Sequence, residues 1–401
     1  MSVNTVPFQQ SATILTSLYK QATGRDVVVS TEPDFVSVAT TLLSMKPDII
    51  YNTISEVLAR TIFSIRPYEA RFSGLQKDLP TWGGYMRKLS IVDSDWDQNP
   101  AYKWPVAYQA GQNPPSGNGQ SFDQFQINKR DVLQTNFMGQ SVFGDKYTIF
   151  DEQLEPNFRG SAELGSFFGM MAGDMNNKVE SAKDALSTGL VSNLIGSLLA
   201  ENNSQRVVHL LSEYNTLTGS SFTDATIRLP SNWKPFMQWV YGRIASIANK
   251  FTARSIRYQT TITGKPVPRH TPYDKQKLYI LDDERYFMEA QVLADTFHDN
   301  YLSLADVESV PYWQGIDTPD KVIVTPSYTG TDGSIVTPQA AITKEHVFAL
   351  LFDEDAIGWS MVHQNVFPAR NGAAEYTTMW YNMRMRCFQD TTEKAVVFLL
   401  D

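Results

Sequence analysis

Ser161–Asn203 reads SAELGSFFGMMAGDMNNKVESAKDALSTGLVSNLIGSLLAENN, and the reading of this stretch decides the fold. Apolar residues recur at Leu164, Phe168, Met171, Met175, Val179, Ala182, Leu186, Leu190, Leu194 and Leu198, in steps of three or four. Steps of that size place them on one stripe of a helix. Asp174, Asn176, Asn177, Lys178, Glu180, Lys183 and Asp184 fall on the other faces, so the helix has a wet side. Gly160-Ser161 supplies an N-cap after the irregular run through Pro156. Unbroken, such a helix is roughly 60 Å long, more than a small domain is wide. Gly189 and Gly196 are the expected sites of a break or kink near its end, each costing about 1 kcal/mol against Ala. An amphipathic helix of this length needs an elongated body to lie along.

Upstream, the expected elements are short. Ile14–Tyr19 suits a helix and Asp26–Ser30 a strand, and both need another surface to pack on. Two helical patterns follow between Asp34 and Ile65, the second from Pro47 to Ser64, where Pro47 is tolerated in the first turn and Pro67 ends the run. From Arg71 to Asp151 the character changes. A strand at Tyr85–Val92 and an extended limb from Phe122 to Phe137 flank a tract, Trp96–Gly119, that is rich in Trp, Tyr, Pro and Gly. This is the pattern of one long hairpin, and loops of that length are commonly functional. Tyr102, Trp104, Tyr108 and Phe122 are too aromatic for a solvated linker, which leaves a self-packed loop or an arm that docks on a neighbour.

Downstream of a strand at Gly144–Phe150 and the long helix, Ser204–Tyr214 reads as more helix, and Asn232–Thr252 as a second clear helix entered through Leu229-Pro230-Ser231. Leu278–Leu281 is a buried strand, Asp282–Arg285 a turn, and Tyr286–Asp295 a helix. Lys321–Val324 is a strand, Thr329–Gly333 a tight turn, and Val347–Phe352 a buried strand. The chain closes on a hairpin pattern: an alternating strand through Tyr381–Phe388, a turn at Asp390–Lys394, and Val396–Leu400, apolar enough to be buried on both faces.

The totals narrow the class. The chain has 401 residues, 42% hydrophobic, 19% charged and 12% aromatic, as in a folded protein with room for more than one core. Its net charge of −9 argues against a protein that wraps nucleic acid by neutralising phosphates. It is compatible with a container whose inner wall faces nucleic acid. Cys387 is the only cysteine, so neither an intrachain disulfide nor a cysteine metal cluster is available. The N-terminus has no basic region followed by an apolar core, and no run reaches about 18 apolar residues, so neither a signal peptide nor a membrane helix is expected.

Chemistry-bearing motifs are sparse. Asp353, Glu354 and Asp355 beside Trp359 have the residue types of a glycosidase pair or a hard-metal site, but lack the glycines and spacing of a calcium loop. A solvated turn is the ordinary reading, as for Asp282-Asp283-Glu284. His209, His270, His298, His346 and His363 are scattered, with no two at metal-ligand spacing. Cys387 sits where a thiol is a small hydrophobe. Gly83-Gly84 and Gly117-Asn118-Gly119 lack the strand-to-helix context of a phosphate cradle. Arg254, Arg257, Lys265 and Arg269, with Tyr258 and His270, make a loose basic stretch that suits a solvated or subunit-facing surface better than a nucleic-acid patch. No catalytic, cofactor-binding or metal-binding residue is assigned.

The order of elements then carries a resemblance. The spine with Phe167–Met171 near its start, the block Phe352–Trp359 and the closing Tyr376–Arg386 to Leu400 together resemble the major capsid protein of tailed bacteriophages, the Hong Kong 97 fold, most like small short-tailed phages. The resemblance implies an α+β chain in five parts. Residues 1–70 are an N-terminal arm with short helices, 71–150 an extended E-loop hairpin, and 151–205 the spine helix of the P-domain. Residues 206–350 are a mixed α/β A-domain, and 351–401 return to the P-domain as terminal strands. It implies a non-enzymatic protein that assembles with many copies of itself, as hexamers and pentamers, into an icosahedral shell around double-stranded DNA. Scaffolding and portal proteins are implied partners; DNA is faced but not specifically bound, no membrane is involved, and assembly takes place in the host cytoplasm before residence in the virion. Cross-linking between subunits, known in one branch, is not carried over to Lys77 or Lys103. Two other classes fit less of the chain: an encapsulin-like nanocompartment shell of the same fold, and a carbohydrate-active hydrolase using Asp353 or Glu354.

Overall fold

A computed structural model describes residues 8–43, 70–77, 86–92, 131–137, 140–150, 152, 161–286, 306–338 and 340–401. The second N-terminal helical pattern (47–64), the tract 96–119, both glycine pairs of that region and His298 lie outside the described residues.

Helix α1 (Phe8–Thr23) and helix α2 (Glu32–Leu43) come first. Residues 25–30 between them are irregular, so the strand expected at Asp26–Ser30 does not form. Strands β1 (Met86–Ile91) and β2 (Val132–Phe137) pair antiparallel, Met86 opposite Phe137 and Ile91 opposite Val132, as the two limbs of one hairpin stem. After β3 (Gln140–Phe150) comes the spine, α3 (Ser161–Glu201), 41 residues in one helix.

The spine passes straight through both glycines. Gly189 faces open space, while a Cβ at Gly196 would lie 2.3 Å from Val324 Cγ1 and 3.3 Å from Pro326 Cβ. Gly196 is therefore a point of close approach and not a break. The stop is Asn202, whose φ of 49° puts it in the left-handed region that ends helices. Beyond it the expected helix at Ser204–Tyr214 divides into β4 (Val207–His209) and α4 (Leu210–Thr218), because Val207 and Val208 find a place at a sheet edge. A short helix α5 (Asp224–Ile227) leads to α6 (Pro230–Thr252).

Strands β5 (Gln276–Leu281), β6 (Asp306–Val310), β7 (Val322–Val324), β8 (Tyr328–Thr329), β9 (Ile335–Val336), β10 (Ile342–Lys344), β11 (Val347–Asp353), β12 (Ile357–Asn371), β13 (Tyr376–Gln389) and β14 (Ala395–Leu399) complete the set. Residues 282–286 are helical in place of the expected turn, and the helix expected over Tyr286–Asp295 lies, beyond Tyr286, outside the described residues.

One five-stranded sheet, in the order β4-β14-β11-β5-β6, is the centre of the molecule. Side chains alternate across a strand, and here both sides are covered. Ala395, Val397 and Leu399 of β14, with Tyr279, Leu350 and Phe352, pack into the core that holds Leu190, Val191, Leu194 and Leu198 of the spine. Val396, Phe398 and Leu400, with Leu278, Ile280 and Leu351, pack into the second core with Phe236, Val240, Ile244 and Phe251 of α6. The result is helix, sheet, helix in three layers. Helices α1 and α2 close the first core through Leu15, Leu18, Phe35 and Ala39.

The chain does not close on a hairpin. Strand β13 pairs with β12 and β3 in a separate three-stranded ribbon, while β14 enters the middle of the five-stranded sheet. The turn of the real hairpin lies between β12 and β13, and Asp390–Lys394 is the crossing from ribbon to sheet.

Candidate assembly surfaces

The stem formed by β1 and β2 has two distinct faces. Met86, Lys88 and Ser90 with Leu133, Thr135 and Phe137 are half-buried against the body, while Arg87, Leu89, Ile91, Val132, Gln134 and Asn136 point away from it. On that outer face Ile91 is 67% exposed, Leu89 58% and Val132 50%, three neighbouring apolar side chains in solvent. Surfaces of this kind mark contacts with other protein.

The inner face is held by charge. Lys88 Nζ donates to Asp390 Oδ2 at 2.8 Å and to Glu393 Oε1. Arg269 pairs with Glu393 at 2.5 Å and donates to Ser90 Oγ at 3.2 Å and Thr392 Oγ1 at 3.0 Å. Around these contacts all five residues Asp390, Thr391, Thr392, Glu393 and Lys394 are buried. A buried run of acids and a lysine is unusual unless every member is partnered. The partners are present. Asp390 Oδ1 accepts from the Thr392 amide and hydroxyl, and Lys394 Nζ donates to the carbonyls of Phe251 at 2.9 Å and Ala253 at 2.6 Å, at the end of α6.

The charges respond to that setting. Burial works against the Lys88 ammonium, but Asp390 and Glu393 outweigh it and hold its pKa above the usual lysine value. Burial also opposes ionised Asp390, yet Lys88 and the Thr392 bond keep that carboxyl below the usual range. For Glu393 burial prevails over Lys88 and Arg269 and pushes the pKa up. Lys394, desolvated and only partly compensated by Asp353 and Glu393, is brought down to about 8.

A second exposed face belongs to the ribbon. Its inner side packs Phe143, Tyr381 and Met383 on Met175, Val179 and Ala182 of the spine, around a cleft rimmed by the Lys178–Asp145 ion pair at 2.8 Å. On the outer side Phe367, Trp380 and Lys146 stand in one row across the three strands, 51% and 44% exposed for the two rings, with Lys146 Nζ 5.9 Å from the Trp380 ring centre. His363, Arg384 and Val142 form the next row but one, and Val142 and Phe150 are exposed too. The outward rows carry bases and aromatics and no carboxylate, although the chain as a whole has a net charge of −9.

The acid clusters separate. Asp353 accepts from Thr271 Oγ1 at 2.6 Å, Glu354 pairs with Lys275 at 2.7 Å, and Asp355 with Lys77 at 2.6 Å. Trp359 turns away from them into the core. Glu284 is buried against Arg228 at 2.9 Å, and burial raises its pKa. His209, at the end of β4, pairs with Asp401 at 2.6 Å, and His346, between β10 and β11, pairs with Asp320 at 3.4 Å. Cys387 is half-buried, and burial pushes its thiol up, away from nucleophilic character. Of the basic stretch, Arg269 turns inward to Glu393. Among the described residues no three His, Cys, Asp or Glu converge to hold a metal, and no helix is long and apolar enough to cross a membrane.

Lys88, Asp390 and Glu393 had no signal in the sequence. They lie some 300 positions apart (separations of 302 and 305), and an Asp-Thr-Thr-Glu-Lys run has the composition of a solvated turn.

The mixed α/β arrangement of spine, ribbon and sheet is that of phage capsid proteins with the Hong Kong 97 fold, as the resemblance implied. The structure is similar to that of the capsid of Staphylococcus phage Andhra, with a TM-score of 0.54 and 11% identity over 85% of this chain and 87% of that one. It is similar to a chain in the structure of the head fiber and inner core protein gp22 of native bacteriophage P68, with a TM-score of 0.51 and 12% identity over 85% and 87% of the two chains. No curated protein matches it in sequence. The family model of the Phi29-like phage major capsid protein matches residues 14–399, and the chain belongs to that family: it is a major capsid protein of a phage.

Proposed function

We propose that this subunit builds a closed icosahedral shell around double-stranded DNA, and that the outer faces of stem and ribbon are where copies meet. The observation that carries this reading is the pair of exposed apolar faces, Leu89–Ile91–Val132 on the stem and Phe367–Trp380 on the ribbon, on a chain of a capsid family. Each contact is modest, but a closed shell multiplies contacts per subunit, so assembly is cooperative and steeply concentration-dependent.

The division into parts follows from the same reading. Residues 71–150 form the E-loop that crosses to the next copy, 151–205 the spine of the P-domain, and 206–350 the A-domain that meets its copies at five- and six-fold axes. Residues 351–401 contribute two strands of the ribbon, β12 and β13, to which β3 from the end of the 71–150 part adds the third, while their last strand, β14, completes the sheet that β5 and β11 begin. The role is structural and not catalytic, which agrees with the separate engagement of Asp353, Glu354 and Asp355. Scaffolding and portal proteins are the further partners of such a shell, assembled in the host cytoplasm, and the overall acidity keeps its wall from gripping the genome.

The test is to delete residues 101–120 and examine the product by light scattering and electron microscopy. The expected result is a folded subunit that no longer makes shells. Normal closed particles from the deletion would overturn the arm assignment, and particles holding protein cargo without nucleic acid would favour a nanocompartment.

A further inference from the structure

The stem is joined to the body in an asymmetric way. On the body side, the Asp390–Lys394 segment is fixed by its backbone: Asp390 N donates to Ala356 O at 2.7 Å, Thr260 N to Thr391 O at 2.9 Å, and Asp353 N to Lys394 O at 2.9 Å. On the stem side, among the described residues, no backbone hydrogen bond leaves the β1–β2 pair; its strands bond only to each other, and Val92 N closes the pair on Asp131 O. What crosses from stem to body is side chain: Lys88 to Asp390 and Glu393, Arg269 to Ser90, and the Phe137 ring 5.8 Å from Phe388.

That contact combines charge with the half-buried apolar side chains Met86, Leu133 and Phe137 of the stem. Its other apolar side chains, Leu89, Ile91 and Val132, face solvent. Buried ion clusters add little net stability because desolvation offsets their attraction, yet they fix geometry strictly and fail when one member is removed. This cluster is also incompletely satisfied: Arg269 Nε is buried with no hydrogen-bond partner among the described residues. An element attached this way opens at a lower free energy than the sheet beside it.

We infer that Lys88 on the stem, with Arg269, Asp390 and Glu393 on the body, is a latch that sets the direction of the hairpin stem by charge and releases it as a unit while the body stays folded. The held charges of Lys88 and Asp390, each favoured by the other, agree with a closed latch at neutral pH. Its consequence for assembly rests on the reading above: a latched stem presents Ile91 and Leu89 to the next copy in one direction, and an unlatched one does not.

The test is backbone hydrogen exchange, read by mass spectrometry on dissociated full-length subunits so that it does not depend on shells. In Lys88→Gln, and equally in Glu393→Gln, exchange across 86–91 and 132–137 is expected to rise about tenfold or more, while 347–353 and 395–399 keep their protection. Lys88→Arg, which retains the charge, is expected to keep the stem protected. Unchanged stem exchange in Lys88→Gln would overturn the latch. So would equal loosening of the central strands or a variant that does not fold, because the cluster would then belong to the core. A loosened stem with normal shells would overturn the docking reading and leave the latch standing.

Discussion

Trp359 Nε1 donates to Ser187 Oγ at 2.9 Å, joining the start of β12 to the middle of the spine across 172 positions of sequence. Both residues are buried, so neither group has water to fall back on. Beside them Lys77 N donates to Trp359 O at 2.8 Å, which brings the 70–77 segment to the same point. Trp359 is thus an anchor of helix to ribbon, turned into the core. Trp359→Phe is expected to lower subunit stability by about 1–3 kcal/mol, and a double-mutant cycle with Ser187→Ala to show a coupling of about 1 kcal/mol, read from denaturant midpoints.

The two glycines of the spine give opposite expectations. Gly189→Ala meets nothing within 4 Å, so the better helix former should stabilise by up to about 1 kcal/mol. Gly196→Ala places a methyl 2.3 Å from Val324 Cγ1, and the overpacking, about 1–3 kcal/mol, exceeds the same helical gain. Thermal unfolding of the two variants should move in opposite directions from the parent.

Lys394 predicts a pH dependence with a definite sign. Its folded pKa of about 8 lies below the unfolded lysine value of about 10.4. Between those two values the unfolded chain binds the proton and the folded one does not, so stability rises with pH across that window. Denaturant midpoints of the dissociated parent should therefore gain more from pH 7.5 to 9.5, two points chosen to bracket this folded value (about 8), than those of Lys394→Met.

The outer faces predict a separation of folding from assembly. Ile91→Asp and Phe367→Asp alter residues that are 67% and 51% exposed, so each should leave the subunit within about 1 kcal/mol of the parent. Light scattering should nevertheless report no closed particles from either. Shells that form at the parental rate would remove these faces from the list of contacts.

Much of this architecture was legible because its elements are strongly patterned. The spine declared itself by the recurrence from Leu164 to Leu198, and β14 by a run of apolar residues that only a strand covered on both faces can hold. Other parts were not legible, for reasons that are equally physical. Gly196 looks like a breaker because its packing partners, Val324 and Pro326, are distant in sequence. Val207–His209 is too short to outweigh the helical pattern around it, and forms a strand only because β14 offers an edge. The hairpin assigned to the last residues was misplaced because the buried Asp390–Lys394 segment resembles a turn, whereas it is the passage between two sheets. Of the candidate surfaces, the alternation in β13 identified an outward row, but the ribbon's third strand, β12, and the cluster at Lys88 depended on tertiary pairing.

The most direct measurement is a reconstruction of the assembled particle by electron cryo-microscopy, read at four side chains. Leu89 and Ile91 on the stem and Phe367 and Trp380 on the ribbon, all solvent-exposed in the single subunit, should be buried against neighbouring copies. Closed particles in which these four side chains remain open to solvent would contradict the account.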